Sequence, residues 1–152
     1  LPGAPITRED MMTQLAITYP YCTLTDMTGE TVKNVMEDVC DNLFNPDPYY
    51  QQGGDMVRLG ALEYSCAPKE KIGNRIQDMR LGGKPIDPKK TYKVAGWAPV
   101  QQASATPENP PIWDIVEEYL KHHKVNKPLK VNEPKLLGVK GNPGLADYSR
   151  QA

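Results

Sequence analysis

Thr28-Gly29-Glu30-Thr31-Val32-Lys33-Asn34-Val35-Met36-Glu37-Asp38-Val39-Cys40-Asp41-Asn42-Leu43-Phe44-Asn45-Pro46-Asp47-Pro48 is the stretch whose spacing decides how the chain is built. Val32, Val35, Met36, Val39, Cys40 and Leu43 fall at i, i+3, i+4, i+7, i+8 and i+11, one apolar stripe on a helix, with Lys33, Glu37, Asp38 and Asp41 off it. Thr28 stands where a side-chain oxygen caps the first turn. Asn45-Pro46-Asp47-Pro48 ends the helix, because neither proline can continue its hydrogen-bond ladder. A one-sided helix of this kind needs a second layer on which to bury its stripe, and the flanking sequence supplies it.

Downstream, from Tyr49, the pattern changes to β. Asp55 to Leu59 and Leu62 to Ala67 read as short strands around Gly60. Arg75 to Leu81 and Lys84 to Ile86 flank Gly82-Gly83, a pair suited to a tight hairpin turn. Asp87-Pro88-Lys89-Lys90 makes a second turn, leading into a strand from Thr91 to Trp97 that is expected to be buried near Val94-Ala95. Ala98 to Pro110 is a polar loop. Pro111 then sits in the first turn of a last amphipathic helix, whose apolar residues are Ile112, Trp113, Ile115, Val116, Tyr119 and Leu120. After Lys121 the chain is Pro- and Lys-rich without a period, which reads as an extended arm on another surface or a partly disordered segment.

Upstream, Leu1 to Pro5 is Pro/Gly-rich and opens without a start Met, as expected of a piece of a longer protein. Thr7 reads as an N-cap with Asp10 at the third helical position, and Ile6 and Met11 have the spacing of a hydrophobic staple. A short helix from Arg8 to about Ala16 follows, stopped by Tyr19-Pro20. Tyr21 to Met27 reads as a strand. The order helix, strand, helix, several short strands, helix predicts an α+β domain: a mixed, mainly antiparallel sheet with helices on one face and the other face free for a partner. Residues 1–120 are expected to form the domain and residues 121–152 the arm.

Composition narrows the function by exclusion. The 152 residues suit one domain of ordinary size. With 18 Lys+Arg against 19 Asp+Glu, the net charge of −1 gives no electrostatic case for nucleic acid or an anionic membrane as partner. No apolar run is long enough to cross a membrane, and the N-terminus lacks the charged-then-apolar pattern of a secretory leader. Cys22, Cys40 and Cys66 are too few for a zinc ribbon or a disulfide framework; at most one pair can bridge, and small apolar core residues are the simpler reading. There is no phosphate-binding Gly-rich loop, no Gly-x-Ser-x-Gly and no Cys-x-x-Cys. His122 and His123 are neighbours on a polar helix end, so they point apart and do not make a two-ligand metal site. The carboxylates sit in caps, turns and polar faces, and none pairs off as a general acid and base. No catalytic residue, metal ligand or cofactor site is assigned to this chain, which reads as a module contributing a surface.

Three strings carry a resemblance to a known family. Gly53-Gly54-Asp55-Met56-Val57-Arg58-Leu59-Gly60, then Gly73-Asn74-Arg75-Ile76 through Leu81-Gly82-Gly83-Lys84-Pro85-Ile86, then Tyr92-Lys93-Val94-Ala95 resemble the C-terminal domain of the 5′-nucleotidase family. Asp38 to Arg58, Asp78 to Pro85 and Lys93-Val94-Ala95-Gly96-Trp97-Ala98 are most similar to its SoxB group of sulfur-oxidation thiosulfohydrolases. The resemblance implies an N-terminal metallophosphoesterase-type domain, outside this chain, that holds a two-metal, manganese-type centre and a catalytic His/Asp pair. It also implies a periplasmic hydrolase that releases sulfate from a thiosulfate-modified cysteine on the arm of the carrier SoxYZ, and a C-terminal domain that closes the substrate cleft. The family's cleft-facing arginine usually precedes the helix that begins here at Thr7, so the chain is expected to start slightly inside the domain. Nucleotidases of the family hold the base between two aromatic rings; the corresponding positions are Met56 and the region of Pro99, and neither is aromatic. Losing two stacking rings, each worth roughly 1–3 kcal/mol, argues against a nucleotide.

The candidate substrate- and carrier-binding residues are therefore Tyr49, Tyr50, Gln51, Gln52, Gly53, Gly54, Met56, Arg58 and Trp97. Each has a plainer reading beside it. The Tyr-Tyr-Gln-Gln edge either anchors its own loop or meets a partner. Gly53-Gly54 is either a simple turn or backbone lying close to the cleft. Arg58 alternates with Val57 and Leu59 and so faces away from their side, toward a sulfonate or into solvent. Trp97 is large enough for the core. Arg75 and Arg80 read as structural. Besides the thiosulfohydrolase domain, two readings stay open: the same domain in a nucleotide phosphoesterase, and a non-enzymatic binding module of the same fold.

Overall fold

The computed structural model describes residues 3–15, 21–54, 56, 57, 59–96, 109–123 and 132–139. In chain order the elements are α1 (Arg8–Gln14), β1 (Thr23–Thr28), α2 (Gly29–Phe44), a 3-10 turn (Pro48–Tyr50), β2 (Leu62–Cys66), β3 (Ile76–Leu81), β4 (Lys84–Pro85), β5 (Thr91–Gly96), α3 (Ile112–His122) and β6 (Lys135–Leu136). They fall into two compact units, Leu1–Met27 with Thr91–Leu129, and Thr28–Lys90 with Lys130–Ala152.

The second unit is the α2 layer on a four-stranded sheet of order β4-β3-β2-β6. β2 pairs antiparallel with β3, β3 antiparallel with β4, and β2 parallel with β6, so the sheet is mixed and mainly antiparallel, as its short alternating strands predict. Thr28 caps α2 from an extended backbone, its Oγ1 accepting from Thr31 N at 3.1 Å. Met36 and Cys40 of α2 pack on Leu62, Tyr64 and Cys66 of β2 and Ile76 of β3, with Val32, Met56, Leu59, Met79 and Ile86 around them. Of the stripe, Met36 and Cys40 are buried and Val32, Val35, Val39 and Leu43 half-buried, while Glu37, off the stripe, is buried as well. Gly82 (φ 58°) and Gly83 (φ 76°) turn β3 into β4 with two successive left-handed residues, the conformation that makes this glycine pair necessary. Between Glu63↔Arg80 and Ser65↔Gln77 the register slips by one, because β3 carries an extra residue there. Asp78 adopts φ 49° at that bulge, a conformation Asp tolerates better than most residues.

In the first unit Thr7 and Asp10 form a capping box at the start of α1, and those hydrogen bonds hold the Asp10 carboxyl below its ordinary range. α1 lies against α3, where Arg8 bridges Asp114 at 2.5 Å and Glu117 at 3.1 Å. β1 and β5 form a two-stranded sheet, and Tyr21 makes an isolated bridge with Pro111.

Several sequence expectations are corrected. No strand is present over the described residues of Asp55 to Leu59; Val57 is exposed and Leu59 half-buried. Pro48–Tyr50 instead forms a 3-10 turn, started by proline at its first position. Val94 is half-buried and Ala95 exposed, because β5 belongs to a sheet of only two strands. Pro111 is the cap of α3 rather than its first-turn residue. Lys135–Leu136 adds a strand in the region without a period, a backbone pairing that two residues cannot announce in sequence. Helix α1 ends at Gln14, two residues before the expected Ala16. The Tyr19-Pro20 stop, Arg58, Trp97 and nearly all of the polar loop after it lie outside the described residues.

Candidate functional site

The loop after α2 is fastened to the helix that precedes it. Asn45 Oδ1 accepts from Asp47 N at 3.0 Å, and Asp47 Oδ1 accepts from Tyr49 N at 3.0 Å, so two short side chains fold the backbone onto itself around the two prolines. Gln51 Nε2 donates to Asn45 O at 2.7 Å, and Gly53 N donates to Asn42 O at 3.3 Å. Gly53 and Gly54 both have positive φ, 76° and 100°, which a side chain would strain. Gln51 thus acts as a loop anchor, whereas Tyr49 is 96% exposed, Tyr50 66%, and Gln52 is also exposed. A pinned loop carrying two outward tyrosines is suited to recognition, since each ring adds apolar contact and a hydroxyl at small entropic cost. Met56 is half-buried against the core cluster.

Beneath the loop lies a buried charge network. Arg75, 2% exposed, donates through Nη1 to Asp41 Oδ1, through Nε to Glu70 O at 2.7 Å and through Nη2 to Phe44 O at 3.3 Å. Asn45 Nδ2 donates to Asp41 Oδ2 at 2.8 Å. Glu37, 3% exposed, accepts from the backbone N–H groups of Gly73, Arg75 and Ile76. The arginine therefore ties the end of α2 to the start of β3, as the structural reading of Arg75 requires. Arg80 is half-buried and paired with Asp78 at 2.8 Å. Beside the network runs an open groove of about 750 Å³, lined by Leu43, Phe44, Pro46, Gln51, Pro68, Ile72 and Val139, with Lys69, Glu70 and Lys71 also along it.

The helical period alone puts Glu37 and Asp41 off the apolar stripe. One signal pointed the other way: they are like charges at i and i+4 on one helix face, a destabilising spacing unless a cation lies close by. The Arg75 guanidinium, then Asn45, hold the Asp41 carboxyl below the usual aspartate range. Because the folded carboxyl binds its proton less readily than the unfolded one, its stabilising contribution is full above the unfolded value. It is lost as pH falls through the lowered folded value. We expect the urea midpoint to drop on acidification below about pH 4, and the drop to be shallower in Asp41→Asn. Equal acid profiles for the two proteins would refute this assignment.

Among the described residues no group of three or more His, Cys, Asp or Glu side chains is placed to hold a metal. His122 Nε2 lies 3.6 Å from Glu118 Oε2, while His123 stacks on Tyr119 with ring centroids 4.1 Å apart and turns its Nδ1 to Tyr119 O at 3.0 Å. The two imidazoles are each engaged along their own helix and, among the described residues, converge on no third ligand. No described helix is long and apolar enough to cross a membrane.

A helix on a mixed, mainly antiparallel sheet, with a helix pair and a two-stranded sheet in the other unit, defines an α+β domain with a loop-borne recognition edge. The family model for the 5′-nucleotidase, C-terminal domain, matches residues 1–103, and the chain belongs to that family. Among solved structures, the sulfate thiohydrolase SoxB of Thermus thermophilus, in complex with glycerol, is 34% identical and superimposes with a TM-score of 0.73, over 92% of this chain and 27% of that one. A putative 5′-nucleotidase from Staphylococcus aureus, in complex with α-ketoglutarate, is 14% identical with a TM-score of 0.56, over 86% of this chain and 30% of that one, and shows the shared fold alone. The chain therefore spans less than a third of the length of these two proteins. A search of curated proteins returned no match.

Proposed function

We propose that this chain is the substrate- and carrier-recognition domain of a SoxB-like thiosulfohydrolase, which releases sulfate from a thiosulfate-modified cysteine on the carrier SoxYZ. The observation that supports this most is the 34% identity to a sulfate thiohydrolase along 92% of the chain. On this reading residues 1–120 are the body of the recognition domain and 121–152 an arm whose Lys135–Leu136 joins the sheet of that body. The residues assigned to substrate and carrier contact are Tyr49, Tyr50, Gln52, Gly53, Gly54, Met56, Arg58 and Trp97, with Gln51 holding the loop. Arginine offers a planar fork of donors that matches a sulfonate's oxygens, and tyrosine and glutamine can bond a peptide arm. The two-metal, manganese-type centre and the catalytic His/Asp pair belong to an N-terminal metallophosphoesterase-like domain, and the whole enzyme to the periplasm. A nucleotide substrate is disfavoured because Met56 packs on the core where a stacking ring would be needed.

The test uses the full-length enzyme and the thiosulfate-loaded carrier, with sulfate release as the readout. Arg58→Ala and Tyr50→Ala should each lower kcat/KM by about tenfold to a hundredfold and leave metal content unchanged. Wild-type kinetics in both variants, or faster turnover of AMP than of the loaded carrier, would overturn the proposal.

A further inference from the structure

Cys40 of α2 and Cys66, the last residue of β2, are 0% and 2% exposed, and their Sγ atoms lie 3.5 Å apart. Two thiols gain little from each other as hydrogen-bonding partners, since sulfur is a weak donor and a weak acceptor. A disulfide needs the sulfurs at about 2.05 Å, a shortening of about 1.5 Å that is small beside the reach of a rotating side chain. Cys22 is half-buried in the other unit. We propose that Cys40 and Cys66 are a disulfide-forming pair that ties α2 to an interior strand of the four-stranded sheet and leaves Cys22 as a thiol.

The bond forms by exchange with a small-molecule or protein disulfide. One cysteine thiolate attacks the donor's S–S bond, giving a mixed disulfide and expelling one donor thiolate. The second cysteine thiolate then attacks the protein sulfur of the mixed disulfide and expels the other donor thiolate. Two electrons pass from the cysteines to the donor, and the two protons of the original thiols end on the donor's two sulfurs. Once the core is closed this exchange stalls. No donor reaches sulfurs this buried, and burial pushes the Cys40 thiol up to about 12 and raises the Cys66 thiol as well, so thiolate is scarce. The exchange therefore belongs to folding, before α2 is seated, and the finished bond is shielded from reductants.

The three cysteines fall in different tryptic peptides, residues 9–33, 34–58 and 59–69, which makes the pairing directly readable. The full-length protein is refolded with a mixture of reduced and oxidised glutathione, alkylated in denaturant and digested. Peptide 34–58 should be found linked to 59–69, and peptide 9–33 alkylated at Cys22. For a bridge between residues 26 positions apart, the unfolding equilibrium constant of this domain should be on the order of a hundredfold lower than in the reduced protein. Cys22→Ser should keep both the link and the shift. Alkylation of all three cysteines after oxidative refolding, or a link that includes peptide 9–33, would overturn the proposal.

Discussion

Glu37→Ala is expected to destabilise the protein by about 4 kcal/mol in urea titrations, a large fraction of the stability of an ordinary domain. The carboxylate lies 3% exposed in the middle of α2. Its Oε1 accepts from Ile76 N at 2.7 Å, and its Oε2 accepts from Gly73 N at 2.8 Å and from Arg75 N at 3.3 Å. These three donors lie where the chain enters β3, and Asn74 N between them donates instead to Lys71 O. A hydrogen bond to a charged group contributes about 1.5–3 kcal/mol, and a buried donor left unmade costs about 1–3 kcal/mol. Alanine removes every acceptor and leaves a void beside the core. Glu37→Gln keeps one carbonyl oxygen and turns an amide N–H toward the remaining donors, so it should lose roughly half as much. If the alanine variant stays within about 1 kcal/mol of wild type at an unchanged urea slope, Glu37 is not what holds this turn.

Gly29→Ala should cost about 3 kcal/mol, in a place where propensity alone predicts a gain of up to about 1 kcal/mol. Gly29 is the first residue of α2, and its backbone is not in a conformation reserved for glycine. The constraint comes from outside the helix. Gly29 N donates to Lys90 O and Glu30 N to Pro88 O, each at 3.0 Å, so the free N–H groups of the first turn are satisfied by the 87–90 turn. That docking is so close that an added Cβ would stand 2.3 Å from Asp87 O and 2.5 Å from Ile86 Cγ2. One contact is with backbone and cannot rotate away. Either α2 or the turn must retreat, and both hydrogen bonds stretch. A thermal midpoint equal to or above that of wild type would show that the turn yields freely.

These two residues mark the boundary of what the sequence discloses. The stripe from Val32 to Leu43, the Thr28 cap, the proline stop and the Gly82-Gly83 hairpin are local facts: each is set by a few neighbours and was legible. Glu37 looked like a solvent-facing charge because the helical period assigns faces by hydrophobicity and cannot see backbone donors arriving from residues 73–76. Among the described residues of Asp55 to Leu59 no strand forms, for a related reason: alternation marks a strand only where a neighbouring strand offers a ladder. Of the candidate site, the turn chemistry of Asn45 to Gly54 could be read directly from its Asn, Asp, Pro and Gly residues. The division of labour within it could not. Gln51 holds the loop and Tyr49 leaves it, a difference set by a single side-chain hydrogen bond to Asn45 O.

The parallel pairing of Ser65 with Lys135 and of Cys66 with Leu136 has a consequence for synthesis on the ribosome. Seventy residues of translation separate the two partners, which at about 5–20 residues per second is roughly 4–14 s. Through that interval β3 can already have zipped onto one side of β2, while the other side presents open amide and carbonyl groups next to a half-built core. Nascent chains in that state are the natural clients of a holdase. Slower elongation over the codons for residues 91–129 should raise the fraction lost to aggregation, and a tethered copy of residues 132–139 supplied early should lower it.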